Sequence, residues 1–473
     1  MRSSPQVCVL YMAAKIRFLF VSPFLLPTHK KTYFYPMKIL MYFAFYLFKI
    51  VLKPGLRLYH RRTQIQGKKH LRKRGPCILA ANHPATILDP LNAAAVMPRP
   101  VYFLANAGLF ASPFGKWFFG TFFCIPVQRY EDTGGKPLQN EQSFAAARQF
   151  LAEGGCLFIA PESTSLPAYH LRKLKTGAAR IGLQTEAEHD FQLDLVLQPV
   201  GLNYDNTRKF RSRLFLNIGE PLPFAPYQQQ YLENPRAAVR AYTDELQKQM
   251  GQLLLDTRDE EEEELIPLAR EIVRGKKQLS PKEEFFKLQQ ALKKWHRLRD
   301  QSAEQWSAFR QTMKNYEQRL REWQINHRAL LRQHIKPANM LLLLLGALPA
   351  LYGWLNNLLP VTTLCRLSRK LNQDPSYDPT YKFGIALIAF PLFYALQIWA
   401  FAKWAPLSIA WHGYELSAWL YFASLIPAGI FYEWYAERLR DFRALLRYQK
   451  LLSRQPIELA ELHQMRLEVE KYH

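Results

Sequence analysis

The chain has 473 residues, with 63 Lys and Arg against 39 Asp and Glu, a formal charge of +24 and a pI near 9.7. That length suits two or three domains around a large core, and that charge asks for an anionic partner, either nucleic acid or a membrane surface. No nucleic-acid reader motif accompanies the charge, 14% of residues are aromatic and long apolar runs occur, so the sequence favours anionic membrane lipids and excludes nucleic acid as the partner. The five cysteines, Cys8, Cys77, Cys124, Cys156 and Cys365, form no C-x-x-C pair, which argues against a zinc site or a disulfide framework and for a reducing compartment.

Residues 1–75 are read as a basic N-terminal region. Its first part, 1–36, is broken by Pro5, Pro23, Pro27 and Pro36 and lacks a clear small-residue cleavage site, which disfavours a signal peptide; Met37 is an alternative start. Met37 to Leu52, MKILMYFAFYLFKIVL, is apolar but short for a span, and is expected to lie as an interfacial helix. Lys53 to Arg74 then carries nine basic residues and no acid, which suits anionic headgroups at roughly 1 kcal/mol per nearby charge, with a solvated basic loop as the plain alternative.

Residues 76–225 alternate strand-like and helix-like segments, the rhythm of an α/β sandwich. Strands are predicted at 77–81, 101–104, 124–127, 156–160, 193–200 and 214–218, and helices at 90–96, 139–152 and 176–186. The stretch CILAANHPATILDP organises this region. A short apolar run delivers Asn82 and His83 to the C-terminal end of a buried strand, the edge where open α/β sheets place their chemistry. Asp89 is the first acid in the chain, after sixteen Lys and Arg. A carboxylate that reaches an imidazole fixes its tautomer and raises its basicity, as a general base for a hydroxyl requires. Residues six apart in a continuous helix lie about 120° from each other. The pair can therefore meet only across a turn, which Pro84 makes feasible, and spacing alone leaves a capping arrangement open. Further strand ends carry Arg129, Glu162, Lys175, Arg180 and Asn203, whose cations, set near Gly and Ser turns at helix starts, would suit a phosphate cradle.

Over residues 76–222 these blocks resemble the glycerolipid phosphate acyltransferases. NHPATILD, IPVQR, APESTS and LQPVGLNY follow the order of that family's His-Asp block, hydrophobic-x-Arg block, Pro-Glu-Gly-Thr block and hydrophobic-Pro-Val block. The five-residue separation of His83 from Asp89, and the segment GLNYDNTRKFRSR with Arg211 and Arg213, resemble the branch acting on glycerol 3-phosphate or dihydroxyacetone phosphate. Ser163 stands where Gly is usual, and Ser165 where Arg is common. The resemblance implies direct acyl transfer from acyl-CoA or an acyl carrier protein to a glycerol phosphate acceptor in phospholipid biosynthesis. His83 and Asp89 would be catalytic. Asn82, Arg129, Glu162, Ser163, Thr164, Lys175, Arg211 and Arg213 would bind substrate, with Arg129 pairing with the phosphate. No metal and no resident cofactor are implied. Lysophosphatidate is the alternative acceptor, and a non-catalytic membrane scaffold of the same fold is the alternative of a different class.

Residues 226–335 are expected to be helical and coiled-coil-like. Tyr227 to Leu255 reads as one helix, and the six acids from Asp259 to Glu264 as a solvated linker. Ser280-Pro281-Lys282-Glu283 is a helix start, and Trp306, Phe309, Met313, Tyr316, Leu320 and Trp323 form a heptad seam suited to packing. Residues 336–433 read as a membrane region with apolar segments at 338–359, 383–402 and 408–432. Three full spans would separate the basic tail, 434–473, from the catalytic domain, whereas that tail and the loop with Arg366, Arg369 and Lys370 both belong on the cytoplasmic side. The expectation is therefore a re-entrant 338–359 followed by two true spans, in an integral membrane protein whose catalytic domain faces the cytoplasm.

Overall fold

The computed structural model describes residues 34–121, 123–128, 140–275, 277, 279–332, 334–372, 377–404, 410–411 and 414–473. The chain divides into two compact units, Met1–Asp205 with Arg211–Leu254, and Asn206–Phe210 with Leu255–His473.

The first unit is built on one sheet. Its strands are β1 (Arg62–Gln66), β2 (Cys77–Ala81), β3 (Tyr102–Asn106), β4 (Cys124–Val127), β5 (Cys156–Ile159), β6 (Val196–Tyr204), β7 (Arg213–Ile218) and β8 (Leu222–Pro223). They lie in the order β1-β7-β6-β2-β5-β3-β4, with β8 added to β6. From β6 to β4 the strands are parallel; β7 runs antiparallel to β6, and β1 parallel to β7. Every residue of β2 is buried. Strands covered on both faces read as continuous apolar runs, which is why CILAA shows no alternation.

The helices of this unit are α1 (Phe34–Tyr59), α2 (Leu88–Val96), α3 (Pro113–Thr121), α4 (Glu141–Ala152), α5 (Gly177–Ala187), α6 (Gln228–Glu233) and α7 (Pro235–Gln252). α1 extends beyond the expected 37–52. Phe45, Leu52, Leu56 and Tyr59 are buried along one side, while Phe43, Leu47, Ile50 and Val51 are exposed on another. Tyr46 Oη donates to the Pro98 carbonyl at 2.9 Å, and Lys49 Nζ, also buried, donates to that of Met97. Burial and the neighbouring Lys53 charge push the Lys49 ammonium down to about 8. The basic stretch 53–74 is therefore no loop: its first part completes α1 and its middle is β1, in register with β7 from Arg62↔Arg213 to Gln66↔Asn217. The single helix expected over 227–255 is also corrected. It breaks at Asn234, whose side chain accepts from the Ala237 amide, and restarts with Pro235 in the first turn, where a missing N–H costs nothing.

The second unit is helical: α8 (Glu260–Arg274), α9 (Pro281–Gln301), α10 (Ala303–Glu322), α11 (His327–Arg332), α12 (Pro337–Leu371), α13 (Asp378–Trp404), α14 (Leu416–Arg454) and α15 (Pro456–Glu470). The acidic run is not a linker. Asp259 caps α8 and Glu260–Glu263 fill its first turn, where the helix dipole favours negative charge. Ser280 forms a capping box with Glu283. Ser302 separates α9 from α10 and caps the latter, on which Trp306, Phe309, Met313, Tyr316 and Leu320 of the seam are buried. Phe309 packs on Tyr472 beyond α15, with ring centroids 4.7 Å apart.

The re-entrant 338–359 is corrected as well. It lies inside one continuous helix of 35 residues that holds Pro349 and Pro360 without folding back. α12 and α13 are long and apolar enough to cross a membrane. The boundary expected at 433/434 is absent too, because α14 runs unbroken for 39 residues through both segments. α12 and α14 approach closely at Gly353, where a Cβ would come 2.1 Å from the Ala428 carbonyl oxygen. Beside it, Asn357 accepts from Tyr394 Oη at 2.7 Å and Gln397 donates to the Asn356 carbonyl at 2.7 Å, polar ties that join α12 to α13.

Candidate active site

The C-terminal ends of β2, β5 and β6 meet along one edge of the sheet. β2 releases the chain at Asn82 and His83, and a turn through Thr86, at φ 48°, leads into α2 with Asp89 in its first turn. Backbone bonds from Leu88 N to Ala85 O (3.1 Å) and from Asp89 N to Thr86 O (3.3 Å) close that turn. It brings the imidazole and carboxylate together, which a continuous helix would not.

His83 Nδ1 lies 2.9 Å from Asp89 Oδ2. Asp89 is fully buried, and Oδ2 also accepts the Ala85 amide at 2.7 Å, while Oδ1 accepts Tyr204 Oη at 2.7 Å. A carboxylate that accepts here makes Nδ1 the donor, so Nε2 carries the free lone pair. The His83 side chain keeps 20% of its surface exposed. This is the geometry of an oriented base at the mouth of a buried network.

Tyr204 fixes the far side of Asp89. Burial, the Asp89 charge and the hydrogen bond to Asp89 push its hydroxyl well above the usual tyrosine range, so it remains a donor. Behind it Asn92 Nδ2 lies 3.3 Å from Tyr204 Oη, 3.1 Å from His60 Nε2 and 2.8 Å from the Leu88 carbonyl. Burial pushes His60 down to about 4, which leaves its ring neutral and Nε2 able to accept.

The APESTS block is stitched onto the NHPATILD block. Glu162 Oε1 accepts the His83 amide at 3.0 Å, and Ser165 Oγ accepts that of Thr86 at 3.0 Å. Glu162 Oε2 takes Arg172 Nε at 3.0 Å, and the two outer nitrogens of Arg172 donate to Thr164 Oγ1 and to the Thr164 carbonyl. Ser163 sits at φ 66°, a left-handed conformation that favours glycine.

Several candidates take other roles. Asn82 uses both ends of its amide on the Leu202 backbone, at 2.8 and 3.1 Å, and so joins β2 to β6 instead of facing a ligand. Asn203 donates to the Leu253 carbonyl at 3.0 Å. Arg213 Nε pairs with Asp205 Oδ2 at 2.7 Å, and Arg211, at φ 64°, donates from Nη1 to the Leu58 carbonyl at 3.2 Å. Both arginines are thus engaged by the protein where the sequence offered them to phosphate. Lys175 is exposed, and its backbone amide donates to the Pro161 carbonyl at 2.8 Å. Arg129 lies outside the described residues, one position after Gln128, whose backbone is gripped by the Asn140 side chain at 2.7 and 2.8 Å. Sequence reasoning missed Tyr204, Asn92, His60 and Arg172. Tyr204 closes the LQPVGLNY block, yet its partner lies 115 residues away and no local spacing announces it. Among the described residues no group of three His, Cys, Asp or Glu is placed to hold a metal ion.

Residues 62–203 match a family model described as Acyltransferase. Glycerol-3-phosphate O-acyltransferase 2 of Saccharomyces cerevisiae is 33% identical over 103 residues, 22% of this chain and 14% of that protein. Glycerol-3-phosphate O-acyltransferase 1 of the same yeast is 30% identical over 126 residues, 26% of this chain and 16% of that protein. The matched stretches are thus a small part of those relatives' lengths. A crystal structure of the 1-acyl-sn-glycerophosphate acyltransferase of Thermotoga maritima aligns with 52% of this chain and 91% of its own, at 17% identity and a TM-score of 0.33.

Proposed function

We propose, on the premise that residues 62–203 form an acyltransferase-family domain, that this chain moves a fatty acyl group from an acyl thioester to a hydroxyl of glycerol 3-phosphate or dihydroxyacetone phosphate. One observation carries the proposal: His83 directs Nδ1 into the fully buried Asp89 at 2.9 Å and keeps Nε2 available. Nε2 takes the proton of the acceptor hydroxyl as its oxygen attacks the thioester carbonyl. The tetrahedral adduct then collapses, the C–S bond breaks, and the leaving thiolate recovers the proton from the imidazolium, which Asp89 has stabilised meanwhile. Such a base contributes roughly 10²–10⁴ in rate. Both substrates arrive from outside, and the chain itself carries no acyl intermediate.

Glu162 acts on the backbone of His83, and Arg172 brings a guanidinium into the block where Ser165 replaces an arginine. Arg129 and Lys175 are the further cations proposed for the acceptor phosphate, since a charge-assisted bond contributes roughly 1.5–3 kcal/mol. The small acceptor is favoured by the five-residue His83–Asp89 separation and by the names of the two yeast relatives. We place the protein in the membrane through α12 and α13, with the catalytic domain on the cytoplasmic face and anionic lipids around it.

The test is kcat/KM for glycerol 3-phosphate, dihydroxyacetone phosphate and lysophosphatidate, measured side by side on the purified full chain with a labelled acyl donor. The small acceptors should react faster. A clear preference for lysophosphatidate overturns the acceptor assignment, and no transfer to any of the three overturns the acyltransferase reading.

A further inference from the structure

The helical unit contains a cavity of about 210 Å³ that the chemistry at His83 does not use. It opens where α11 ends, α12 begins and α14 passes from the apolar LSAWLYFASLIPAGIF to the basic ERLRDFRALLR. Its walls differ in kind. Arg328, Arg332 and Arg438 line it with Asp441 and Glu437, and Leu342, Leu343, Trp434 and Phe442 supply the apolar side.

The cations are unequally satisfied. Asp441 is committed: Oδ2 takes Arg328 Nη1 at 2.7 Å and Oδ1 takes Asn326 Nδ2 at 3.1 Å. The Arg438 guanidinium lies over the Trp434 ring, 4.4 Å from its centroid, and its buried Nε has no hydrogen-bond partner among the described residues. Burial first, then the Arg328 and Arg438 charges, push Arg332 below the ordinary arginine value against the opposing pull of Asp441. A half-buried guanidinium that stacks on tryptophan and whose Nε keeps an unused donor is arranged to receive an oxyanion.

We propose that this cavity binds the headgroup of an anionic phospholipid, its phosphate on Arg332 and Arg438. This rests on the reading that α12 enters the bilayer. The lipid, and not a free phosphate, is indicated by the wall of Leu342, Leu343, Trp434 and Phe442 beside the cations.

Thermal unfolding of the full chain in neutral detergent tests this with dioleoyl phosphatidylglycerol, a diester that is neither acceptor nor product of the proposed reaction. Phosphatidylglycerol should raise Tm saturably by several degrees, and dioleoyl phosphatidylcholine or inorganic phosphate should not. The double variant Arg332→Gln/Arg438→Gln should need at least tenfold more phosphatidylglycerol for the same rise, with acyl transfer retained. Leu342→Trp, which fills the cavity but leaves its charges, should weaken binding as well and covers the case in which the double variant does not fold. Equal shifts with the choline lipid, an equal shift with inorganic phosphate, or unchanged binding in a folded variant each overturn the proposal. His83→Ala should bind phosphatidylglycerol as the natural chain does, so failure of the acyl-transfer reading and failure of this one stay distinguishable.

Discussion

Each unit buries a carboxylate against a partly exposed imidazole, and the proposed function gives a catalytic role to only one of the two pairs. Asp89 and Glu262 are both fully buried, at 2.9 and 3.0 Å from His83 and His296, whose side chains are 20% and 23% exposed. Distance and exposure therefore do not separate them. Their surroundings do. Glu262 takes His296 at Nε2 and adds Arg299 at 3.3 Å and the Arg258 amide at 2.8 Å. Burial alone would raise its pKa, but His296, the Arg258 amide and Arg299 together hold it below the ordinary value. The described partners of Asp89 are the imidazole, a backbone amide and a tyrosine hydroxyl, with no arginine or lysine among them. In the helical unit the carboxylate's charge is already compensated. In the proposed reaction the carboxylate of the α/β unit meets a further charge only when His83 takes the acceptor's proton, and differential stabilisation of that kind accelerates a reaction.

The largest expected effect breaks the comparison directly. His83→Ala should lower kcat by about 10³ with little change in acceptor KM, and Asp89→Asn by a comparable factor, because removing the base or its orienting partner acts on the transition state. His296→Ala should stay within about twofold of the natural chain in turnover. Steady-state kinetics on the three variants decide it: similar losses at His83 and His296 would show that the two pairs cannot be told apart by their neighbours.

Stability should show the reverse. Glu262→Gln leaves Arg299 and His296 around a neutral group and should destabilise by about 3 kcal/mol, as when one member of a buried ion pair is removed, with turnover of the folded protein unchanged. The pH dependence has a fixed sign. A carboxyl with a depressed folded-state pKa contributes its stability above the unfolded value and loses it as pH falls through the folded one. Acid unfolding of the natural chain below about pH 4.5 should accordingly steepen relative to Glu262→Gln. Equal slopes would remove Glu262 as the structural counterpart of Asp89.

The legibility of the two units depends on how far each partner lies along the chain. β2 occupies the residues predicted from a short apolar run, 77–81, since central strands advertise themselves by composition, and β4, 124–127, was legible from its apolar CIPV although it closes an edge of the sheet. β1 went unread because Arg62–Gln66, RTQIQ, is a polar edge strand whose sheet partner, β7, begins 151 positions later at Arg213. The same applies to charges: composition marked Arg213 as a cation, but not that Asp205 would hold it. The acidic run was misread for a local reason. Asp259 followed by glutamates is an N-cap and first turn, and counting charge hid the capping signal.

A smaller effect sharpens the account of Asp89. Tyr204→Phe removes one of its three donors without touching the base, so kcat should fall about tenfold while acceptor KM holds. The same hydroxyl adds a basic limb. Its folded pKa is raised, so its contribution to stability is intact below about pH 10 and is lost as pH rises toward the folded value. Tyr204→Phe should flatten that limb. A variant with natural turnover would mean that the Ala85 amide and His83 alone position the carboxylate.

The smallest expected effect concerns Ser163, which stands where the block that APESTS resembles usually has glycine. Ser163 adopts φ 66°, where a Cβ crowds the following carbonyl at a cost of roughly 1–2 kcal/mol, while glycine adopts it freely. Its amide bonds the Ala160 carbonyl at 3.1 Å, so the turn is held by the backbone and does not need the hydroxyl. Ser163→Gly should therefore stabilise the α/β unit by about 0.5–1 kcal/mol, less than the full strain because glycine also gains freedom when unfolded. If the hydroxyl has no part in binding the acceptor, kcat/KM should be unchanged and only the denaturant midpoint should move. A fall in kcat/KM together with the stability gain would instead make Ser163 a substrate contact, and would explain why serine is retained in a conformation that glycine fits better.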